Sequence, residues 1–232
     1  MRRGAVWLYL QAATALALGL VLLLVAVPRL VAQVSLAATP ASPDAALTPA
    51  ELDEAIASAV RAVSWQPGDR DAYQRLAMLW LRGFDLQAAA EDWAGANQSR
   101  DQVHAVMQAG LEVAPGAPDL WFGLARIEAA RGEFSPAAAA YLRNSYLTGP
   151  REQWVGVQRV LFAVTHWAKL DPSLKGMVQR ELRYQPPRTL ARLTYDAPPD
   201  LLALIEAEAQ SRPESQKKTY DRELKRISGP SS

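Results

Sequence analysis

Few side chains in this sequence are of the types that carry catalysis, and their spacing matches no familiar active site. The chain has no cysteine and two histidines, His104 and His166, far apart along it. Metal sites and base–nucleophile pairs need several such groups close together, so we interpret both histidines as surface or packing residues. The acidic pair Glu91-Asp92 is predicted to lie on a solvated helix face.

Motifs for phosphate binding and for nucleophilic catalysis are missing from the sequence. It contains no Gly-x-Gly-x-x-Gly, Walker A, Gly-x-Ser-x-Gly or His-Glu-x-x-His pattern. Lys and Arg number 25 against 24 Asp and Glu, so no overall positive field recruits nucleic acid. We therefore predict a protein that is not an enzyme, holds no metal or cofactor, and does not bind nucleic acid.

A long apolar segment near the N-terminus predicts a membrane anchor. Ala5 to Val27 is uncharged over 23 residues, and a helix of that length spans roughly 35 Å, enough for a bilayer core. Arg2 and Arg3 precede the segment, whereas Arg29 stands nearly alone after it. The positive-inside rule then predicts a single-pass membrane protein with a cytoplasmic N-terminus and the bulk of the chain on the other side of the membrane.

A cleaved signal peptide is the alternative to this anchor. Ser35-Leu36-Ala37 is a small-residue cleavage site, but the apolar run is longer than the 7–15 residues usual for a signal peptide. The length of the apolar run therefore favours an uncleaved anchor, which is predicted to comprise residues 1–32. The following residues 33–47 are small and contain proline, which is typical of a linker.

From Thr48 onward the sequence predicts one helix after another and no sheet. Thr48-Pro49-Ala50-Glu51 is a capping box that begins a helix ending near Trp65. Asp171-Pro172 likewise combines an N-cap with proline in the first helical position. Breaks between helices are predicted at Pro67-Gly68, Gly83, Asn97 to Arg100, Pro115 to Pro118, Gly132, Gly149-Pro150, Asp171-Pro172 and Pro186-Pro187.

The spacing of large and small residues resembles the tetratricopeptide repeat. One copy runs from Trp121 through Leu124 and Ala125, and its second helix carries Ala137-x₃-Tyr141. In this arrangement the two alanines occupy the positions where the helices touch. A plain helical bundle with alanine-rich contacts is the alternative.

An earlier copy begins at Tyr73, and its second helix carries Ala89-x₃-Trp93. Tyr73 and Trp121 are 48 residues apart, 14 more than one repeat, and a short extra helix from about Asp101 to Val113 is predicted to fill the difference. We predict repeats over residues 48–184 and C-terminal helices with a basic tail over residues 185–232. Four tryptophans are assigned to the core: Trp93, Trp121, Trp154 and Trp167.

Repeat hairpins bind partners on a concave face, and in the Trp121 copy that face is predicted to include Asp119, Phe122 and Arg126. In the helix that follows, 3- and 4-residue spacing predicts one buried stripe. Its members are Trp154, Val157, Leu161, Val164 and Ala168.

The last helix, from about Pro213 to Ile227, is rich in lysine and arginine. It is interpreted as a solvated helix, or as a docking element for an acidic partner, a polymer or a lipid surface.

The stretch Thr148 to Tyr184 resembles membrane-anchored accessory proteins of bacterial polysaccharide biosynthesis. The matching landmarks are Thr148-Gly149-Pro150, Glu152, Trp154, Trp167 and Asp171-Pro172. The resemblance implies a scaffold or adaptor for envelope proteins of polysaccharide synthesis and export, and it offers no catalytic residues. It also implies that the anchor lies in the bacterial inner membrane, with the bulk of the chain in the periplasm. Two alternatives stay open: an envelope assembly or chaperone-type factor, serving translocation or cytochrome maturation, and a hydrolase acting on a polymer.

Overall fold

The structure, a computed structural model, describes residues 2–40, 47–132 and 134–228. Every regular element in these ranges is helical, as predicted, and the chain forms two compact units, Met1–Val113 and Ala114–Ser232. A 3₁₀ turn follows α7. The α-helices in the described ranges are α1 Arg2–Ala37, α2 Pro49–Trp65, α3 Arg70–Ala89, α4 Trp93–Val113, α5 Pro118–Ala129, α6 Pro136–Thr148, α7 Gln153–His166, α8 Pro172–Leu182, α9 Pro187–Leu193, α10 Pro199–Gln210 and α11 Glu214–Ser228.

Helix α1 is long and apolar enough, over Gln11–Ala37, to cross a membrane. Its last turns belong to the folded part of the first unit, because Ala32 and Leu36 are buried against α2 and α3. These two residues are four apart and share one face of the helix. The helix thus includes the first five residues of the predicted linker, 33–37, and with them the candidate cleavage site. Residues 41–46 of the predicted linker lie outside the described residues.

Local capping signals predicted the starts of α2 and α8 correctly. The Thr48 hydroxyl accepts a hydrogen bond from the Glu51 amide, and the Glu51 carboxylate accepts one from the Thr48 amide, so the capping box is confirmed. Asp171 caps α8 by accepting from the Leu174 amide, with Pro172 at the first helical position. Such signals act over three or four residues, which is why they are legible without tertiary information.

The hairpin of α3 and α4 differs from its prediction. The breaks predicted at Gly83 and at residues 97–100 are wrong, because α3 and α4 continue through them as helices of 20 and 21 residues. The separate short helix predicted over residues 101–113 is also wrong: these residues are the second part of α4, and the greater length of α3 and α4 accounts for the 48-residue offset. Ser99 packs against Gly83, where a Cβ would lie 3.3 Å from its Oγ. A helix contact, not a turn, explains this glycine.

The second unit begins with a hairpin of α5 and α6. Ala125 is fully buried, as predicted for a position where helices touch, and the Trp121 and Tyr141 rings stack with centroids 6.0 Å apart. Ala137 is exposed, and Ala138 is the fully buried alanine of α6. The predicted register of α6 was therefore wrong by one residue.

Helix α7 buries a different face from the predicted stripe. Val155, Val160 and Ala163 are fully buried, whereas Trp154 and Leu161 are 53% and 45% exposed. Both faces of α7 carry apolar side chains, so the 3,4 spacing did not select between them. Of the tryptophans assigned to the core, Trp167 is buried, Trp121 is partly buried, and Trp93 and Trp154 are exposed.

Candidate partner-binding site

The predicted contact residues do not form an exposed face. Asp119 and Phe122 are buried, and Phe122 belongs to the core of the second unit, where its ring meets Phe162 edge-on at 5.7 Å. Arg126 is exposed. The prediction was wrong for Asp119 and Phe122, because the first turns of α5 bury nearly every residue they contain.

A buried arginine organises the second unit instead. Arg159, on α7, has no exposed surface. Its guanidinium donates to the carbonyl of Ser145 at 2.7 Å, to the carbonyl of Gly149 at 2.9 Å and to a carboxylate oxygen of Glu181 at 2.7 Å. The first two acceptors lie at the C-terminal end of α6, where the helix dipole is negative, and the Ser145 carbonyl also accepts the Gly149 amide at 3.2 Å. Arg159 thus caps α6 from α7 and joins both helices to Glu181 on α8.

Tyr146 and Glu181 enclose the Arg159 guanidinium, and its charge affects the pKa of both. The Tyr146 ring lies under the guanidinium carbon at 4.4 Å from its centroid, a cation–π contact. Burial, reinforced by the nearby Glu181 charge, raises the pKa of the Tyr146 hydroxyl, which stays neutral. Burial also raises the pKa of Glu181, against the attraction of Arg159 and the hydrogen bond between them.

Glycines permit the close packing around this ion pair. A Cβ on Gly156 would lie 2.1 Å from Glu181 Oε1, and a Cβ on Gly149 would lie 2.4 Å from Pro118 Cγ. Neither separation is sterically allowed. Gly149 of the Thr-Gly-Pro landmark therefore has a structural role: it lets α5 approach, and its carbonyl binds Arg159.

A pocket of about 350 Å³ opens beside the ion pair, between the end of α6 and the outer face of α8. Its walls combine apolar, aromatic and charged side chains. They are Tyr146, Leu147, Pro150, Arg151, Met177, Arg180, Glu181 and Tyr184. Leu147 is 64% exposed and Tyr184 is 51% exposed, so this is an open apolar surface and not part of the core.

Positive charge dominates the rim of the pocket. Arg151 and Arg180 are both exposed, and the Arg151 guanidinium lies 5.9 Å from the centroid of the Tyr184 ring. Among the described residues neither arginine pairs with a carboxylate, while Glu181 is already paired with the buried Arg159. A segment with an apolar side chain and an acidic group matches this arrangement, because guanidinium groups bind carboxylates with two parallel hydrogen bonds.

His166 does not line this pocket. His166 packs on Phe134 and Phe162, with ring centroids 5.3 Å and 4.5 Å apart, and burial lowers its pKa. Its interpretation as a packing residue is confirmed. In the described part of the chain, His, Cys, Asp and Glu side chains nowhere gather in a group of three that could hold a metal ion.

Sequence reasoning missed Arg159 and Glu181, although both left a signal. Each is a lone charged residue on the apolar face of its helix, Arg159 between Val155 and Ala163, and Glu181 between Val178 and Leu182. A single charge on such a face indicates a buried partner on a neighbouring helix.

No protein-family model matches the chain, and neither a curated protein nor a solved structure matches it significantly.

Proposed function

We propose that this chain is a membrane-anchored, non-catalytic adaptor of an envelope polysaccharide synthesis and export assembly. In this proposal α1 spans the inner membrane, the bulk lies in the periplasm, and the helical hairpins form a tetratricopeptide-like array. The likeness of residues 148–184 to polysaccharide accessory proteins supports the setting, and the helical hairpins support the array.

The observation that carries a binding role is the pocket at the end of α6. Exposed Leu147 and Tyr184 supply apolar contact, and unpaired Arg151 and Arg180 supply charge. The Arg159 network holds the buried side chains beneath the pocket, so these need not be reordered when a partner binds. The proposed occupant is a partner-protein segment with an apolar anchor and a carboxylate.

Reversing the rim charge tests this function. In a deletion strain, a chain with Arg151→Glu and Arg180→Glu should restore polymer export about tenfold less well than the unaltered chain, because two arginine–carboxylate contacts become repulsive. A control with Arg61→Glu and Lys169→Glu makes the same charge change at exposed positions elsewhere and should restore export fully. If both variants restored polymer export equally well, the pocket would have no part in the function.

Catalysis is tested separately on the purified full chain in detergent. The purified chain should leave the exported polymer at its original length on prolonged incubation. Shortening of the polymer that a single carboxylate substitution abolishes, in a chain that remains folded, would replace the adaptor with a hydrolase.

A further inference from the structure

Helices α9 and α11 pack together in the second unit and carry a dense basic surface, here called the basic face. Its cations are all exposed: Arg188, Arg192, Lys218, Arg222, Lys225 and Arg226. The whole chain has a net charge of only +1, and this surface gathers six exposed cations on two packed helices. On α11 the spacing of Lys218, Arg222 and Lys225 is four and three, which places them on one side of the helix.

A buried carboxylate fixes the centre of the basic face. Glu223 accepts hydrogen bonds from Arg192 at 3.3 Å and from Arg226 at 2.8 Å. The Glu223 side chain is 11% exposed, whereas those of Arg192 and Arg226 are 66% and 65% exposed. The two arginines hold the pKa of Glu223 at about 2. One carboxylate therefore positions two guanidinium groups whose remaining donors point to solvent.

An exposed aromatic residue adjoins these cations. Tyr195 is 77% exposed and donates its amide to the Arg192 carbonyl just after α9. Arg188, Arg192 and Tyr195 are spaced by four and three residues, so they share one side of the helix and its final turn. Tyrosine among basic residues is typical of surfaces at the headgroup level of a bilayer.

We propose that the basic face docks on anionic phospholipid, with guanidinium and ammonium groups on the phosphates and Tyr195 among the headgroups. The same chain carries the candidate membrane span, which keeps this surface within reach of a bilayer and raises its effective concentration there. Carboxylates also lie here, and Asp221 shares a side of α11 with Lys218 and Lys225, because it is three and four residues from them. The six cations outnumber the four carboxylates Glu214, Asp221, Asp196 and Glu223. This inference does not depend on the polysaccharide setting or on the α6–α8 pocket.

A single fluorescent label tests the docking in the full chain. The sequence has no cysteine, so Ser215→Cys, at an exposed position of α11 three residues from Lys218, can carry one environment-sensitive nitrobenzoxadiazole group and leaves Tyr195 in place. The labelled chain is reconstituted in vesicles of phosphatidylcholine alone or of phosphatidylcholine mixed with phosphatidylglycerol. Emission should shift to the blue only in the mixed vesicles, and salt of about 1 M should reverse the shift, because the Debye length falls to about 3 Å.

Charge-reversal variants assign the effect to this surface. Arg188→Glu, Arg222→Glu and Lys225→Glu together should abolish the shift, since each lost cation weakens attraction to an anionic surface about fivefold. The matched control, Arg61→Glu, Arg126→Glu and Lys169→Glu, should keep it.

Three results would overturn the proposal. The first is equal emission, in both kinds of vesicle, of the labelled chain without charge reversals. The second is an equal loss of the blue shift in the charge-reversal variant and in its matched control. The third is a blue shift with dissolved polygalacturonate but not with phosphatidylglycerol. The last would assign the surface to an acidic polymer instead.

Discussion

Replacing Arg159 by methionine tests whether the buried ion pair holds the second unit together. The substitution keeps a long, flexible side chain but removes the donors to the Ser145 and Gly149 carbonyls and to Glu181. Glu181 is 3% exposed, so water does not readily replace the lost partner. A buried carboxylate would be left without its counter-charge.

The expected cost follows from these lost contacts. Removing one partner of a buried ion pair costs about 3–5 kcal/mol, more than an ordinary core truncation of one methyl group. The carbonyls at the end of α6 add to this cost, and the methionine packing offsets part of it. A loss of this size is a large fraction of the 5–15 kcal/mol typical of a folded domain.

The loss should depend on pH in a defined direction. Burial raises the pKa of Glu181, and Arg159 opposes that rise, so the pKa rises further in the variant. A carboxyl whose folded-state pKa is raised contributes stability at low pH that is lost as the pH increases through that pKa. The destabilisation should therefore be larger at about pH 7 than at about pH 3, where the carboxyl is protonated in both the folded and the unfolded chain.

Urea unfolding of the full chain in detergent, followed by hydrogen exchange of α7 and α8 peptides, measures these free energies. Arg180→Met is the matched control, since Arg180 lies next to Glu181 but is exposed, and it should change the stability by less than about 0.5 kcal/mol. Adding Glu181→Leu to Arg159→Met should recover at least half of the loss, because no unpaired charge then remains. Equal destabilisation by Arg159→Met and Arg180→Met, or a cost that shrinks towards neutral pH, would refute the reasoning.

Two pairs of substitutions, each with its control, probe the packing of the second unit by thermal unfolding. Gly156→Ala should lower stability by about 1–3 kcal/mol, because its Cβ would overlap the Glu181 carboxylate, which Arg159 holds in place. Gly176→Ala has open space at its Cβ and should be neutral or stabilising, since alanine is the better helix former. If Gly176→Ala lowered the stability more than Gly156→Ala, the close approach of α7 and α8 would be contradicted. Ala138→Leu should lower the free energy of unfolding by about 1–3 kcal/mol through overpacking, whereas Ala137→Leu should change it little. If both substitutions had the same effect, Ala138 would not be the buried alanine of α6.

The sequence predicted the features whose causes are local. Caps at Thr48 and Asp171 involve groups three residues apart, and the apolar run of α1 is legible from composition alone. Helix register was less accessible. In α6 the run Pro136-Ala137-Ala138-Ala139-Ala140 offers four similar side chains, and only contact with α5 selects the one that is buried.

The site itself depended on contacts between helices. Leu147 and Tyr184 are 37 residues apart and meet at one pocket, which no periodicity within a single helix predicts. The predicted contact residue Phe122 was a large apolar side chain on a short helix with few exposed positions. Its burial follows from the number of neighbours packed around α5, a property of the fold and not of the local sequence.

The most direct test of the adaptor function is site-specific photo-crosslinking in living cells. A photoreactive amino acid at Leu147, in the pocket, should form a discrete adduct with another envelope protein, which mass spectrometry assigns to polysaccharide synthesis or export. The adduct should disappear when Arg151→Glu and Arg180→Glu are added. The same amino acid at Trp93, which is 63% exposed in the first unit, should form no such adduct. Adducts of equal yield from both positions, or an adduct at Leu147 that survives the charge reversal, would contradict a partner-binding pocket at the end of α6.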